Sequence, residues 1–190
     1  KLAGKQHLTG DAFTGDDATR PRYWARSLVG WPYFRRARPN AVHRAHAALE
    51  ARGKTELVLT QKREGQHQGA GSERVIDLHG RLDTVRCLRC VARTAREDFQ
   101  QALLARNPGW AGLDAGIAPD GDADLEGRDF ASFDVPDCAV CAGMLKPDVV
   151  FFGENVPRER VIESGHRLSQ SDAVLVVGSS LMVWSGFRFV

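Results

Sequence analysis

The four cysteines of this chain fall in two pairs of identical spacing, Cys87-x-x-Cys90 and Cys138-x-x-Cys141, and no other feature constrains the fold as strongly. Two thiolates separated by two residues can face one ion, and two such pairs complete the tetrahedral four-sulfur set of a closed structural zinc site. The alternatives are two disulfides or four unconnected core thiols. The stretch Lys1-Leu2-Ala3-Gly4-Lys5-Gln6-His7 lacks the apolar run of a secretory signal, which points to a reducing intracellular compartment where thiols persist, and so favours zinc. With sulfur at all four positions, the metal is expected to tie a module together and to leave catalysis to other residues.

A chain of 190 residues has room for one core with a small satellite module, and its 43% hydrophobic and 26% charged composition excludes a disordered chain. The longest apolar run, Ala173-Val174-Leu175-Val176-Val177, is far shorter than the roughly 20 residues of a transmembrane helix and reads as a buried strand. A net charge of +2 from groups spread along the chain gives no basis for a nucleic-acid or membrane partner. The preference for Arg over Lys and the abundance of Ala resemble a GC-rich bacterial genome. The bacterial cytoplasm is therefore the expected compartment, with the mitochondrial matrix as the alternative if a transit segment has been trimmed.

Along the chain, Gln6 to Gly10 reads as a short strand entering a turn, and Asp11 to Pro21 as a loop. The aromatic, arginine-rich stretch from 21 to 38 predicts short helices on a core edge. Asn40 caps a helix carrying Val42, Ala45, Ala48 and Leu49 at helical spacing, closed by Gly53. Strands follow at Glu56–Thr60 and Val75–Gly80, separated by the polar stretch from Gln61 to Ser72. Thr94-Ala95-Arg96-Glu97 has the form of a capping box leading a helix that buries Phe99, Ala102, Leu103 and Leu104, and residues 107–134 are irregular. Val149–Phe152, a helix begun by Pro157 with Val161, Ile162 and Leu168 on one face, and Ala173–Val177 predict a right-handed parallel crossover.

At this point a family resemblance becomes specific. Leu78-His79-Gly80, Lys146-Pro147-Asp148-Val149-Val150-Phe151-Phe152-Gly153-Glu154 and Gly178-Ser179-Ser180-Leu181 look like successive sirtuin motifs in their usual order. Arg22-Tyr23-Trp24-Ala25-Arg26, Gly30-Trp31-Pro32 and Asn107-Pro108-Gly109-Trp110 further resemble the subgroup of the lipoamidase-like mitochondrial sirtuin and its bacterial relatives. The resemblance implies an α/β fold, a Rossmann-like parallel sheet with an inserted zinc-ribbon/helical small domain. On that basis residues 1–86 form the first part of the Rossmann-like domain, with a helical segment at about 21–38; residues 87–141 form the zinc module; and 142–190 form the second, apparently truncated part.

The same resemblance implies an NAD-dependent protein lysine deacylase of deacetylase or lipoamidase type, which transfers the acyl group to ADP-ribose and releases nicotinamide. NAD and acylated lysine peptides or proteins are its implied partners. His79 would be the general base, withdrawing a proton from a hydroxyl of the nicotinamide ribose, a task for which an imidazole is suited by its pKa near neutrality. Gly10, Gln61, Glu64, Gly178, Ser179 and Ser180 would line the cofactor. Val150, Phe151, Phe152, Gly153 and Glu154 would form the strand edge to which substrate backbone adds, with Ser180 to Val183 opposite.

Departures from the family pattern gather on the cofactor motifs. A Gly-Ala-Gly-Ile-Ser type turn is replaced by Gly10-Asp11-Ala12-Phe13-Thr14, which puts a carboxylate and a side chain where a diphosphate would approach. The stretch from Thr14 to Arg22 is shorter than the family's cofactor loop. In Thr60-Gln61-Lys62-Arg63-Glu64-Gly65-Gln66-His67, Gln61 and His67 match, but the family's asparagine is Lys62, which can only donate hydrogen bonds, and its aspartate is Glu64. The alternative function is a catalytically silent zinc-stabilised peptide-binding module, a pseudoenzyme or incomplete sirtuin.

Overall fold

The structure is a computed structural model that describes residues 8–113, 115, 116, 123, 125 and 127–190. In chain order its elements are α1 (Gly10–Gly15), α2 (Thr19–Arg36), α3 (Ala41–Ala51), β1 (Val58–Thr60), α4 (Gln66–Gly69), β2 (Val75–Asp77), β3 (Gly80–Cys87), β4 (Arg93–Ala95), α5 (Arg96–Arg106), a 3-10 turn (Pro108–Trp110), β5 (Leu145–Val149), α6 (Arg158–Ser169) and α7 (Trp184–Phe187). They divide into two compact units, one of residues 1–37 and 82–154 and the other of 38–81 and 155–190. In the first, the N-terminal helices pack with the cysteine-bearing segment, α2 lying against α5.

The first unit is built around aromatic side chains. Phe13, Trp24, Phe99 and Phe151 are buried, with Trp24 and Phe99 rings 4.6 Å apart and Phe13 and Phe151 rings 5.4 Å apart. Each such ring stabilises the fold by about 1.5–3 kcal/mol relative to exposure. Leu103, Val85, Leu125 and Phe133 complete this core beside Cys87 and Cys138. Its sheet has the order β4-β3-β5, with β4 antiparallel to β3. β5 occupies an edge, the place in a sheet where a proline such as Pro147 is tolerated.

Several sequence expectations change here. The segment from 21 to 38 is one helix rather than several, even though Pro32 lies inside it. A proline there leaves the carbonyl of Leu28, four residues earlier, without its helical partner. The side-chain amide of Gln100 on α5 donates to that carbonyl at 2.9 Å. The stretch from Asp11 is helical as well, since the Thr9 hydroxyl accepts from the Ala12 N–H at 3.1 Å and caps α1. Position 8 onward is described, and Thr9 there forms an isolated parallel bridge with Phe152; the rest of the expected first strand lies outside the described residues.

The capping box at Thr94 does not form: Thr94 pairs with Val85 in the β3–β4 ladder, and α5 starts from Ala95 without a side-chain cap. Glu97 is engaged by α2 instead, accepting from Trp31 Nε1 at 3.0 Å and Arg35 Nη1 at 2.9 Å.

In the second unit β1 and β2 run parallel, with Val58, Leu59 and Thr60 opposite Val75, Ile76 and Asp77, the strand direction of a Rossmann-like sheet. α3 begins where expected, with Asn40 Oδ1 accepting from the N–H groups of Val42 and His43. α4 interrupts the polar stretch after β1, and its His67 ring stacks on His46 of α3 at 5.4 Å. Pro157 caps α6, but the residue this helix buries is Ser164, whereas Ile162 is exposed. The helix is tethered by polar links, Arg167 Nη1 to Glu56 Oε1 at 2.7 Å and Arg160 Nη1 to the carbonyl of Leu78 at 3.4 Å.

The predicted crossover is not formed. Its first strand is shifted back to β5, which lies beside β3. Its second, residues 173–177, forms no regular element and is exposed, with Leu175 at 78%, and among the described residues no strand pairs with it. An apolar run becomes a buried strand only where neighbours cover its edges and faces. Among the described residues, no helix is long and apolar enough to cross a membrane.

Candidate functional site

The cysteine module is assembled by the end of β3, the turn before β4 and the turn before β5. Cys87, Cys90, Cys138 and Cys141 bring their four sulfurs within 4.8 Å of one another. Cys87 and Cys141 Sγ are 3.5 Å apart, and Cys90 and Cys138 Sγ are 3.7 Å apart, and all four cysteines are free rather than disulfide-bonded. Sulfurs placed about 2.3 Å from a tetrahedral zinc would stand roughly 3.8 Å from each other, so the donor set fits that ion. The N–H groups of Cys90 and Arg89 aim at Cys87 Sγ, at 3.5 and 3.3 Å, and favour its thiolate, the form that a metal binds.

The two knuckles share a backbone device: Val91 and Ala142, each following the second cysteine of its pair, have positive φ of 55° and 54°. Gly143 comes next, and a Cβ there would lie 2.7 Å from Arg89 Cβ and 2.9 Å from Cys87 Sγ. Gly143 thus belongs to the module; a glycine just past a cysteine pair was a visible signal.

Also within the first unit, Gly10 opens α1 and donates its N–H to the Phe152 carbonyl at 3.0 Å. Of the residues expected to bind substrate, Phe151 is a core side chain, Phe152 is exposed, Val150 is half-buried, and Gly153 turns the chain with φ of 82°. Glu154 folds back so that its Oε2 accepts from the Phe151 N–H at 2.7 Å and from Lys146 Nζ at 2.8 Å. Asp11 is exposed in the first turn of α1, where a carboxylate favours the helix.

In the second unit, His79 sits in the turn between β2 and β3, followed by Gly80, whose φ of 75° requires glycine. The ring is half-buried, and Nε2 lies 2.7 Å from the hydroxyl of Ser185 on α7. Burial chiefly, and then the charge of Arg63, hold its pKa below the usual imidazole value, so the ring is neutral and able to accept a proton at pH 7.

Gln61 lies at the carboxyl end of β1. Its side chain is within 3.4 Å of Ser185 Oγ and accepts from Ser179 Oγ at 3.5 Å. Glu64 turns inward to its own loop, accepting from the Arg63 N–H at 3.0 Å, and Lys62 is exposed. Gly178 has φ of 64°, and Ser179 and Ser180 are exposed. His79, Gln61, Ser179 and Ser185 therefore form one polar cluster. Ser185, 106 residues from His79, carried no local signal in the sequence.

A parallel α/β sheet with a histidine at a strand's carboxyl end, in a chain that also carries a four-sulfur module, defines a Rossmann-like protein with a zinc-fitting insertion. Residues 6–185 match the Sir2 family, and the chain belongs to it. It is 64% identical over 185 residues to an "NAD-dependent protein deacetylase" of Xanthomonas campestris pv. campestris, covering 97% of this chain and 63% of that protein. An "NAD-dependent protein deacetylase 2" of Bradyrhizobium diazoefficiens is 59% identical, over 97% of this chain and 68% of its own length.

Among solved structures, Sir2 bound to acetylated peptide superposes with a TM-score of 0.72 at 27% identity, covering 95% of this chain and 63% of that one. Sir2Tm bound to a propionylated peptide gives 0.70 at 28% identity, covering 95% and 64%. The chain thus spans 63% of the length of the Xanthomonas relative.

Proposed function

We propose that this chain carries the acyl-transfer site of an NAD-dependent protein lysine deacylase. The observation that carries the reading is His79: a half-buried, neutral imidazole beside a parallel strand end, with its Nε2 held by Ser185. The relatives' names and the peptide complexes of similar structures support it. NAD, when bound, supplies the ADP-ribose acceptor and nicotinamide as the leaving group. His79 then takes a proton from a ribose hydroxyl, and Gln61, Ser179 and Ser180 orient the ribose. Gly10 gives close backbone approach to the cofactor. The edge at Val150 to Glu154 holds the acylated lysine peptide, with Phe152 and Gly153 presented and Phe151 anchored in the core. Zinc on Cys87, Cys90, Cys138 and Cys141 is structural, since four sulfurs leave no open position. The bacterial relatives support a cytoplasmic location.

The test is nicotinamide release from NAD by the zinc-loaded chain with acyl-lysine peptides. Peptide-dependent release that is abolished in His79→Ala, with zinc content unchanged, is the expected result. Release that persists in that variant would overturn the role of His79. Absence of release from the folded wild type would favour the silent peptide-binding module, for which the exposed Lys62 in place of an asparagine argues.

A further inference from the structure

Lys146 is the most deeply buried amine among the described ion pairs, with its side chain 3% exposed; no role is assigned to it above, yet it touches two residues of the peptide edge, Phe151 and Glu154. A buried ammonium is costly unless paired and hydrogen-bonded. Its partners all come from one turn: it donates to the Val149 carbonyl and to Glu154 Oε2, and it lies 4.4 Å from the centre of the Phe151 ring.

Glu154, so fixed, acts on two pieces of backbone. Its Oε2 accepts from the Phe151 N–H at 2.7 Å, while the Glu154 N–H donates to the Phe151 carbonyl at 3.1 Å, closing the turn through Gly153. Its Cγ and Oε1 lie 2.5 and 2.6 Å from where a Cβ on Gly10 would stand. Gly10 is therefore glycine because Glu154 fills that space. The N–H of Gly10 in turn donates to Phe152, whose residue bridges Thr9 in parallel register. One carboxylate, held from below by one ammonium, sets the spacing between the Thr9-Gly10 turn and the Phe151-Phe152-Gly153 edge.

We propose that Lys146, acting through Glu154, is a positioning residue that locks the cofactor turn at Gly10 and the peptide edge at Phe152 into one register, so that affinity for NAD and for acyl-lysine peptide is lost together when the pair is broken. This rests on the function proposed above. A lysine retained only for stability would instead affect the unit evenly.

The test compares Lys146→Met, Glu154→Ala and the double variant in the zinc-loaded chain. Amide exchange is followed at Gly10 and Phe151, with Val85 of β3 as reference, and the dissociation constants of NAD and of an acetyl-lysine peptide are measured. Each single variant is expected to speed exchange at Gly10 and Phe151 and to weaken both ligands by about tenfold, as loss of a charged hydrogen bond does, with Val85 and zinc content unchanged. The double variant is expected to cost no more than either single one, since the residues act as a unit.

Exchange at Gly10 that stays at the wild-type rate, faster exchange at Val85 to the same degree, or weakening of one ligand alone would overturn the proposal. If the wild type binds neither ligand, the functional reading fails, and the exchange pattern alone then decides whether Lys146 sets the register.

Discussion

His79 can take a proton only while its imidazole is neutral, and its surroundings are arranged to keep it so. Burial and the Arg63 and Arg160 charges lower its pKa, against the opposing effect of a hydrogen bond that the ring donates to the Gln61 backbone. In the role proposed for His79 the base is active above its pKa and lost below it, so the lowered value extends the proposed activity toward acid pH. Arg63→Met removes one of the lowering charges, and the acid limb of kcat/KM should move to higher pH, as a pH–rate profile would reveal. A neutral buried histidine also makes folding stronger above its unfolded value of 6.5 and weaker as pH falls through the folded one. At Gly143 the constraint is steric. A methyl group there meets Arg89 Cβ and two zinc-facing sulfurs at 2.7–3.1 Å, so Gly143→Ala should weaken zinc binding by about tenfold in a chelator competition, as disturbed metal surroundings commonly do.

At the scale of elements, α3 is stabilised by its cap more than by burial, since it has no buried residue while Asn40 satisfies two of its free N–H groups. Asn40→Ala should cost about 1 kcal/mol, read from a urea midpoint shift, in line with loss of a side-chain cap. This helix was legible in the sequence because asparagine, apolar spacing and Gly53 all point one way. α2 was legible as helical but not as one piece, because Pro32 argues for a break unless Gln100, far away in sequence, takes over the Leu28 carbonyl. Thr94-x-x-Glu97 misled for a related reason: the β3 ladder claims Thr94, and Trp31 and Arg35 claim Glu97. In the candidate site, the clustering of the cysteine set was legible from spacing, and the place of His79 just past a strand from the apolar run before it. Ser185, and the link from Lys146 through Glu154 to Gly10, were not, because each depends on residues brought together only by tertiary folding.

Across the whole molecule, the two units draw on different sources of stability. The first has an aromatic core and the cysteine module; the second has a two-stranded sheet, with α3 and α6 held largely by polar links. Metal binding to such a module is folding free energy. Removal of zinc with EDTA at pH 7 should therefore expose the amides of Leu88 and Cys138, which donate to Met144 and Gly143, while those of Val58 and Leu78 around β1 and β2 keep their protection. Hydrogen exchange followed by mass spectrometry would separate the two sets. The apolar run from 173 to 177 has a consequence of another kind. Open to solvent and, among the described residues, without a strand beside it, it gives copies of this 190-residue chain an apolar ribbon along which they can associate at high concentration. Sulfate, which sharpens the avoidance of water by apolar surface, should bring the protein out of solution earlier than chloride does, and dilute, low-sulfate buffers are where its chemistry is best observed.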